Sequence, residues 1–300
     1  MRIPISAAVL LLVPAVSFAQ TKEIDDAVKT KLAALKYVYA LEDKAGGFKA
    51  DPDAKTGLRA TSSAVRAIKY LGGKVAVPDK HAAYVMACYD PKTGGFADTP
   101  GGKPDVTTTC IGVMAAVELG IPRDQFAKAM DYVGANAKTF EEVRIGAAAV
   151  EAWGLKECPF KFDRWLEVVD EFGKVPLIEV KEGGARNSAG YTVTTLRLGR
   201  TIPPEQTASL VEILQNGQRD DGGWAKPEGK GSDLESTYRV MRAFYVLKQK
   251  PKDVAKLRAF LGECRNADGG FGVQPGQKSG VSGTYYYAII TKWLGELEAK

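Results

Sequence analysis

The sequence is short of the groups that most metal sites need. His81 is the only histidine in 300 residues, and Cys88, Cys110, Cys158 and Cys264 contain no C-x-x-C pair. That composition argues against an ordinary Cys/His zinc site, and His81, beside Lys80 near a helix start, is expected on the solvated surface. Long blocks of like charge are also missing. Forty-one basic residues are interleaved with 36 acidic ones for a net charge of +5, so nucleic acid is not an expected partner. Strand-forming runs are sparse: Val175–Val180 reads as extended, and one such segment makes no sheet. The longest apolar run falls short of the roughly 20 residues a helical span requires, so no stable membrane span is expected.

What is present begins with a targeting pattern. Arg2 precedes the apolar stretch Ile3–Val16, broken only by Ser6, and Ser17-Phe18-Ala19 puts small residues at the −3 and −1 positions. This predicts an export signal over 1–19, cleaved near Ala19, with 20–300 as a single mature domain that is periplasmic or extracellular. Disulfides persist in such compartments, and four cysteines allow three connectivities that the sequence does not separate. Hydrophobic residues at 45% with 26% charged residues are those of a folded globular protein.

The chain repeats itself. Gly46-Gly47-Phe48, Gly94-Gly95-Phe96, Gly222-Gly223-Trp224 and Gly269-Gly270-Phe271 are copies of one turn, and the residue thirteen after each aromatic is Thr61, Thr109, Thr237 or Thr284. Helices open at Pro78, Pro122, Pro203-Pro204 and Pro251, where proline in a first turn is at home. They stop at pairs such as Leu71-Gly72 and Leu119-Gly120. Counting back eleven from each stop gives Thr61, Thr109, Val143, Ser188, Thr237 and Thr284. Six helical hairpins fit this register, with second helices predicted to start near those residues. The third and fourth lack the turn, and Gly183-Gly184-Ala185 is out of register with it. Residues 21–42 space Ile24, Val28, Leu32, Leu35, Val38 and Leu41 along one helix face. Six positions on from the Thr register stand mostly small residues, Ala67, Ala115, Ala149, Thr194, Ala243 and Ile290, which suits close helix packing. An amphipathic hairpin cannot bury its apolar face alone, so the copies must share a core, as an open solenoid or a closed ring.

These repeats resemble the prenyltransferase and squalene-oxidase repeat family. The segment 260–272, FLGECRNADGGFG, is similar to the turn of protein prenyltransferase β subunits, and Gln218-Arg219-Asp220-Asp221-Gly222-Gly223-Trp224 matches the Q-x-x-x-G-x-W motif of triterpene cyclases. The resemblance implies an all-α fold, an (α/α)6 toroid whose second helices face a central cavity. It also implies where chemistry would sit, at the N-terminal ends of the inner helices. A zinc-dependent prenyltransferase would need Asp-x-Cys and a later His. The matching positions here are Asp233, Glu235 and Gly283, an incomplete site, so no metal or other cofactor is predicted. Lys230 matches a family lysine that contacts diphosphate, while Ser236 replaces the expected tyrosine. An export signal also conflicts with cytosolic protein substrates.

A class II cyclase would need Asp-x-Asp-Asp as its proton source. Asp105-Val106-Thr107-Thr108 has hydroxyls where the working acids belong, and a hydroxyl is too weak an acid. Glu235 is the remaining candidate acid, and the chain is less than half of the usual two-domain cyclase. Asp105 and Asp233 each stand at a helix start, where capping alone explains a carboxylate. Candidate ligand-binding residues are Lys230, Tyr238, Arg239, Arg242, Asp105 and Tyr286; Arg66 and Arg197 are further cations for the cavity. The expected role is binding or scaffolding without the family's catalytic groups, with a hydrophobic small molecule, a glycan or a protein as the ligand. The alternatives are a divergent enzyme acting on an isoprenoid or diphosphate, with Asp233 and Glu235 as its catalytic candidates, and a glycan-processing toroid. In the implied ring, Cys264 in the sixth repeat has no neighbouring cysteine, which leaves room for at most one disulfide.

Overall fold

The computed structural model describes residues 18–174, 184–227 and 229–299. Residues 1–17, the body of the expected export signal, and the extended segment Val175–Val180 lie outside the described residues. Among the described residues there are twelve α-helices: α1 (Phe18–Ala40), α2 (Leu58–Tyr70), α3 (Pro78–Ala87), α4 (Val106–Glu118), α5 (Lys128–Asn136), α6 (Phe140–Trp153), α7 (Asp163–Gly173), α8 (Gly184–Arg197), α9 (Pro204–Asn216), α10 (Leu234–Leu247), α11 (Val254–Glu263) and α12 (Val281–Glu298). The one ladder is a two-residue antiparallel pair, Phe48–Lys49 with Thr56–Gly57, inside the first turn loop.

The even-numbered helices form a closed inner ring. Each packs on the next, and α12 returns to α2. Ala67, Ala115, Ala149, Thr194, Ala243 and Ile290 are fully buried within it, small groups at five of the six places where neighbouring helices approach closely. The odd-numbered helices lie outside. Amides at inner-helix starts bond across to the next repeat: Leu58 N–H to Asp98 O, Leu234 N–H to Val273 O, and Val281 N–H to Ala50 O. The last of these joins repeat six to repeat one.

The Gly-Gly-aromatic turn locks each repeat to its neighbour at two points. Gly46, Gly94, Gly222 and Gly269 all have φ between +81° and +97°. A Cβ there would also stand within 3 Å of backbone in the following outer helix, at Lys80, Lys128, Lys256 and Ala33 respectively. The second glycine faces a ring four residues further along the same helix: Tyr84, Tyr132, Phe260 and Tyr37. The fourth copy therefore seats on α1 and closes the ring.

The constant thirteen-residue offset has a hydrogen-bond cause. Thr61, Thr109, Thr237 and Thr284 accept the amide N–H of Phe48, Phe96, Trp224 and Phe271 at 2.9, 2.9, 3.1 and 3.2 Å. Three of these hydroxyls donate in turn to the cap carbonyl one turn back, at Gly57, Asp105 and Gly280. The threonines thus sit in the first helical turn, and the helices start about three residues earlier than the predicted boundary. At the junction of repeats three and four, rings between α6 and α7 stand where the lock would be: Trp165 lies on Gly146, where a Cβ would come within 2.6 Å, and Phe140 stacks on Phe172 at 3.6 Å.

Two expectations are overturned. His81 is buried, not solvated: its Nδ1 donates to the Gly46 carbonyl at 2.5 Å and its ring lies 5.1 Å from Phe48. It belongs to the turn lock. On α1, Val28 and Leu32 are exposed; Ala34, Tyr37 and Val38 are buried, as is Leu41 just past the helix end. Among the residues of α1 whose side chains are described, it is the C-terminal ones that pack against the ring.

Candidate functional site

The ring encloses a cavity of about 540 Å³, and all six inner helices contribute to its wall. The wall has two characters. Helices α4 and α6 supply the aliphatic groups Ile111, Met114, Val117, Ile145, Ala148 and Ala152, together with Glu118, which pairs with Lys69, and Arg144 and Glu151. Helices α2, α8, α10 and α12 supply Arg66, Tyr70, Arg197, Tyr238, Arg239, Arg242, Tyr285 and Tyr286. Tyr238 is the hub of the aromatic side. Its ring lies 5.8, 5.1 and 5.5 Å from Tyr285, Tyr286 and Trp293, and its hydroxyl is 3.5 Å from that of Tyr285. Tyr287 turns the other way and stacks on Phe271 at 3.8 Å.

Charges around the cavity fall into two groups. Nearer the helix starts, Glu141 takes Arg144 and Arg239 at 3.0 and 2.9 Å, and Glu235 takes Arg186, Lys226 and Arg239 at 3.3, 3.2 and 2.9 Å. Deeper, Arg197 and Arg242 share the single carboxylate of Glu151. Arg66 has no carboxylate partner: its Nη1 is 3.8 Å from Met114 Sδ, its guanidinium lies 4.6 Å over the Tyr285 ring, and its Nε has no protein partner. Cations outnumber carboxylates in both groups. A partly enclosed protein wall makes that excess felt more strongly than it would be in open water.

These pairings fix the protonation states. Burial works to raise the Glu235 pKa, but Arg239, Lys226 and Arg186 outweigh it and hold the carboxyl below its usual range. Glu141 is treated alike by burial on one side and Arg144 and Arg239 on the other, and is held at about 2. An acid that protonates an alkene must carry its proton at working pH, and the three cations around Glu235 favour its ionised form instead. Burial raises the Tyr285 phenol, whereas at Tyr238 the field of Arg66, Arg197 and Arg242 overcomes burial and lowers it. All four cysteines are free, and burial raises each thiol, Cys88 and Cys264 to about 12, so none offers a thiolate at neutral pH.

The aspartates singled out from the sequence are helix caps. Asp233 accepts from Ser236 N–H at 2.8 Å and from its hydroxyl at 2.9 Å; Asp105 accepts from Thr108 N–H at 2.7 Å and from its hydroxyl at 2.6 Å, and pairs with Arg59. Neither lies in the cavity wall, and Lys230 is exposed outside it. Tyr238, Arg239, Arg242 and Tyr286 are brought together in the wall, with Glu235 beside them. Zinc does not fit the residues at the expected place. Asp233 is committed to its cap, Glu235 to three cations, and a Cβ at Gly283 would stand 2.3 Å from the Phe271 carbonyl oxygen, leaving no room for a histidine. Sequence reasoning missed Glu141, Arg144, Glu151 and Arg186. Glu141 and Glu151 reach partners 98 and 91 residues away, so local sequence carries no trace of those pairs.

Comparison with known proteins agrees with this architecture. A segment of 101 residues is 30% identical to the protein farnesyltransferase subunit beta of Pyricularia oryzae, covering 32% of this chain and 20% of that relative's length. In fold, the chain is similar to the type II terpene cyclase MstE from Scytonema. A variant of that enzyme in complex with its product, merosterolic acid A, superposes with a TM-score of 0.63 at 12% identity, over 93% of this chain and 99% of the other. The apo form gives 0.59 at 12%, over 92% and 99%. A protein from Actinoplanes gives 0.53 at 13%, over 91% and 100%. No described helix is long and apolar enough to cross a membrane. The prenyltransferase alpha-alpha toroid domain model matches residues 7–83, 74–133 and 188–298, well over half of the sequence, and the chain belongs to that family.

Proposed function

We propose that this toroid is a binding protein whose central cavity takes an organic anion with an apolar body, and that it performs neither the zinc-dependent nor the acid-initiated chemistry of its family. One observation carries the reading: a 540 Å³ cavity in which aliphatic side chains of α4 and α6 face a cluster of tyrosines, with arginines outnumbering carboxylates in the wall. Apolar lining with a few convergent charged groups is the usual make-up of a small-molecule site. An open ring interior favours a ligand over a purely scaffolding role. The acid complexed with the structurally similar Scytonema cyclase is a molecule of the same broad chemistry.

The loss of catalytic groups rests on Glu235, which is ionised and tied to three cations, and on Gly283, where no ligand side chain fits. The reading also includes export, with cleavage after Ala19 leaving Gln20 as the first residue of a periplasmic or extracellular protein. Mass spectrometry of the protein from its native compartment should find that terminus; an intact Met1 would overturn export.

Ligand binding to the native state raises the melting temperature. Calorimetric melting is therefore expected to shift upward with farnesyl diphosphate and much less with farnesol, which has the same chain without the charge. No shift with farnesyl diphosphate, or an equal shift with both, would sink the proposal.

A further inference from the structure

We infer that the ligand enters head-first, with its oxyanion seated deep in the ring between Arg66, Arg197 and Arg242, beside the hydroxyls of Tyr238 and Tyr285, and not at the rim near Lys230. The inference rests on the anion-binding reading above and adds a position, an orientation and the groups that recognise the head. The head group is an oxyanion such as a phosphate, diphosphate or carboxylate. The apolar body lies against Ile111, Met114, Ile145 and Ala148.

The two charge groups differ in what they leave free. At the rim, Arg144, Arg186, Arg239 and Lys226 each already hold a carboxylate of Glu141 or Glu235. Their excess attracts an anion, but every one of these cations is already engaged by a carboxylate, and Arg186 Nε is the only one of their donors buried without a protein partner among the described residues. In the deep group, Arg66 meets only a thioether and a ring face. A cation shielded from water without an anion is costly, and buried donors without partners are rare enough to call for a cause. An incoming oxyanion supplies the missing partner.

Arg197 and Arg242 extend the site. Both depend on Glu151, so two positive charges face one negative one, and the Arg242 Nε has no protein partner. The guanidinium of Arg242 also lies 5.3 Å over Trp293, which fixes its plane. The two phenol hydroxyls, 3.5 Å apart, add uncharged donors at the same level. The same three guanidinium groups lower the Tyr238 phenol against the effect of its burial.

Depth follows from helix geometry. Arg66 and Arg242 each stand nine residues into their helices, Leu58–Tyr70 and Leu234–Leu247. At 1.5 Å per residue that is about 13–14 Å below the caps, Gly57 and Asp233. Lys230 precedes the α10 cap and is exposed.

The test is isothermal titration of the whole protein with farnesyl diphosphate, comparing Arg66→Met with Lys230→Met. Arg66→Met should weaken binding at least about tenfold and Lys230→Met by less than about twofold, since a charge-assisted bond to a desolvated partner outweighs a rim charge. Because Arg66 has no ion pair to lose, melting of the unliganded Arg66→Met protein should match or exceed that of the parent, which a merely structural arginine would not allow. Arg66→Lys, which keeps the charge but not the fork, should fall between the two and serves if the methionine variant melts early. Unchanged binding in both Arg66 variants, or loss centred on Lys230, overturns the deep site while leaving the binding reading intact. No binding by the parent protein overturns both.

Discussion

Repeats one, two, five and six are built differently from repeats three and four. In the first set, a glycine at positive φ seats on the backbone of the next outer helix, and a threonine hydroxyl ties the turn to the inner helix. In the second, large rings fill that role where repeat three meets repeat four, between α6 and α7: Trp165 on Gly146, and Phe140 on Phe172. The same ring is thus closed by two kinds of joint. One is backbone geometry that tolerates almost no side chain. The other is side-chain volume.

Substitutions can break that comparison. The largest effects should come from the two joints themselves. Trp165→Ala removes a ring that is 2% exposed and should cost about 3–5 kcal/mol. Gly222→Ala drives a Cβ to 2.2 Å from the Lys256 carbonyl carbon at φ +92° and should cost a similar amount, about 3 kcal/mol or more. Gly72→Ala is the control: φ is +84° but nothing lies within 4 Å, so strain alone remains, about 1 kcal/mol. Urea unfolding of the three variants measures the order. A Gly222→Ala protein as stable as Gly72→Ala would mean that the close approach to α11 contributes nothing.

A smaller contrast lies in the hydroxyls. Thr237→Val leaves the buried Trp224 amide without its acceptor and should cost about 1–3 kcal/mol. Ser188 occupies the same register in repeat four, but its hydroxyl is buried without a protein partner, so Ser188→Ala should be neutral or slightly stabilising. Equal losses at both sites would show that the threonine lock is not what distinguishes the two sets.

The smallest effect concerns acid. The folded-state pKa of Glu141 lies near 2, below its ordinary 4.5, and Glu235 is shifted in the same direction. Their contribution is fully present above about pH 4.5 and is lost as pH falls toward 2. The Glu141 side chain is 55% exposed, so solvent screening limits its share to roughly 1 kcal/mol. Melting followed from pH 5 to 2 should therefore be less steep in Glu141→Gln than in the parent. An unchanged profile would show that the rim pairs with Arg144 and Arg239 do not matter to stability.

The same contrast explains what the sequence discloses. A joint made of backbone demands glycine at a fixed place and threonine at a fixed offset, and such demands are visible as repetition. A joint made of volume accepts Trp165 in one place and Phe140 in another, so repeats three and four could be placed only by their helix stops. His81 was misplaced because nothing local shows that a neighbouring turn would bury it. At the site, Arg66, Arg197, Arg239 and Arg242 could be named as cavity cations from their helix, but inner helices are buried on most sides, and periodicity does not tell lumen from core. Asp105 and Asp233 stood out as chemical motifs and proved to be caps, because capping and acid catalysis call for the same residue at the same helix end. The carboxylates that set the charge balance, Glu141 and Glu151, come from a different part of the chain than Arg239 and Arg242.

The seating of Gly269 on Ala33 and the bond from Val281 N–H to Ala50 O make the sixth hairpin a neighbour of the first. A stack of hairpins with two free ends can fray from either one and needs special end units to shield its core. A hoop has no end unit. Each hairpin is a stave held by two others, and removing one slackens both. The molecule should therefore lose its structure in one step rather than by peeling, with the lumen collapsing as the hoop opens.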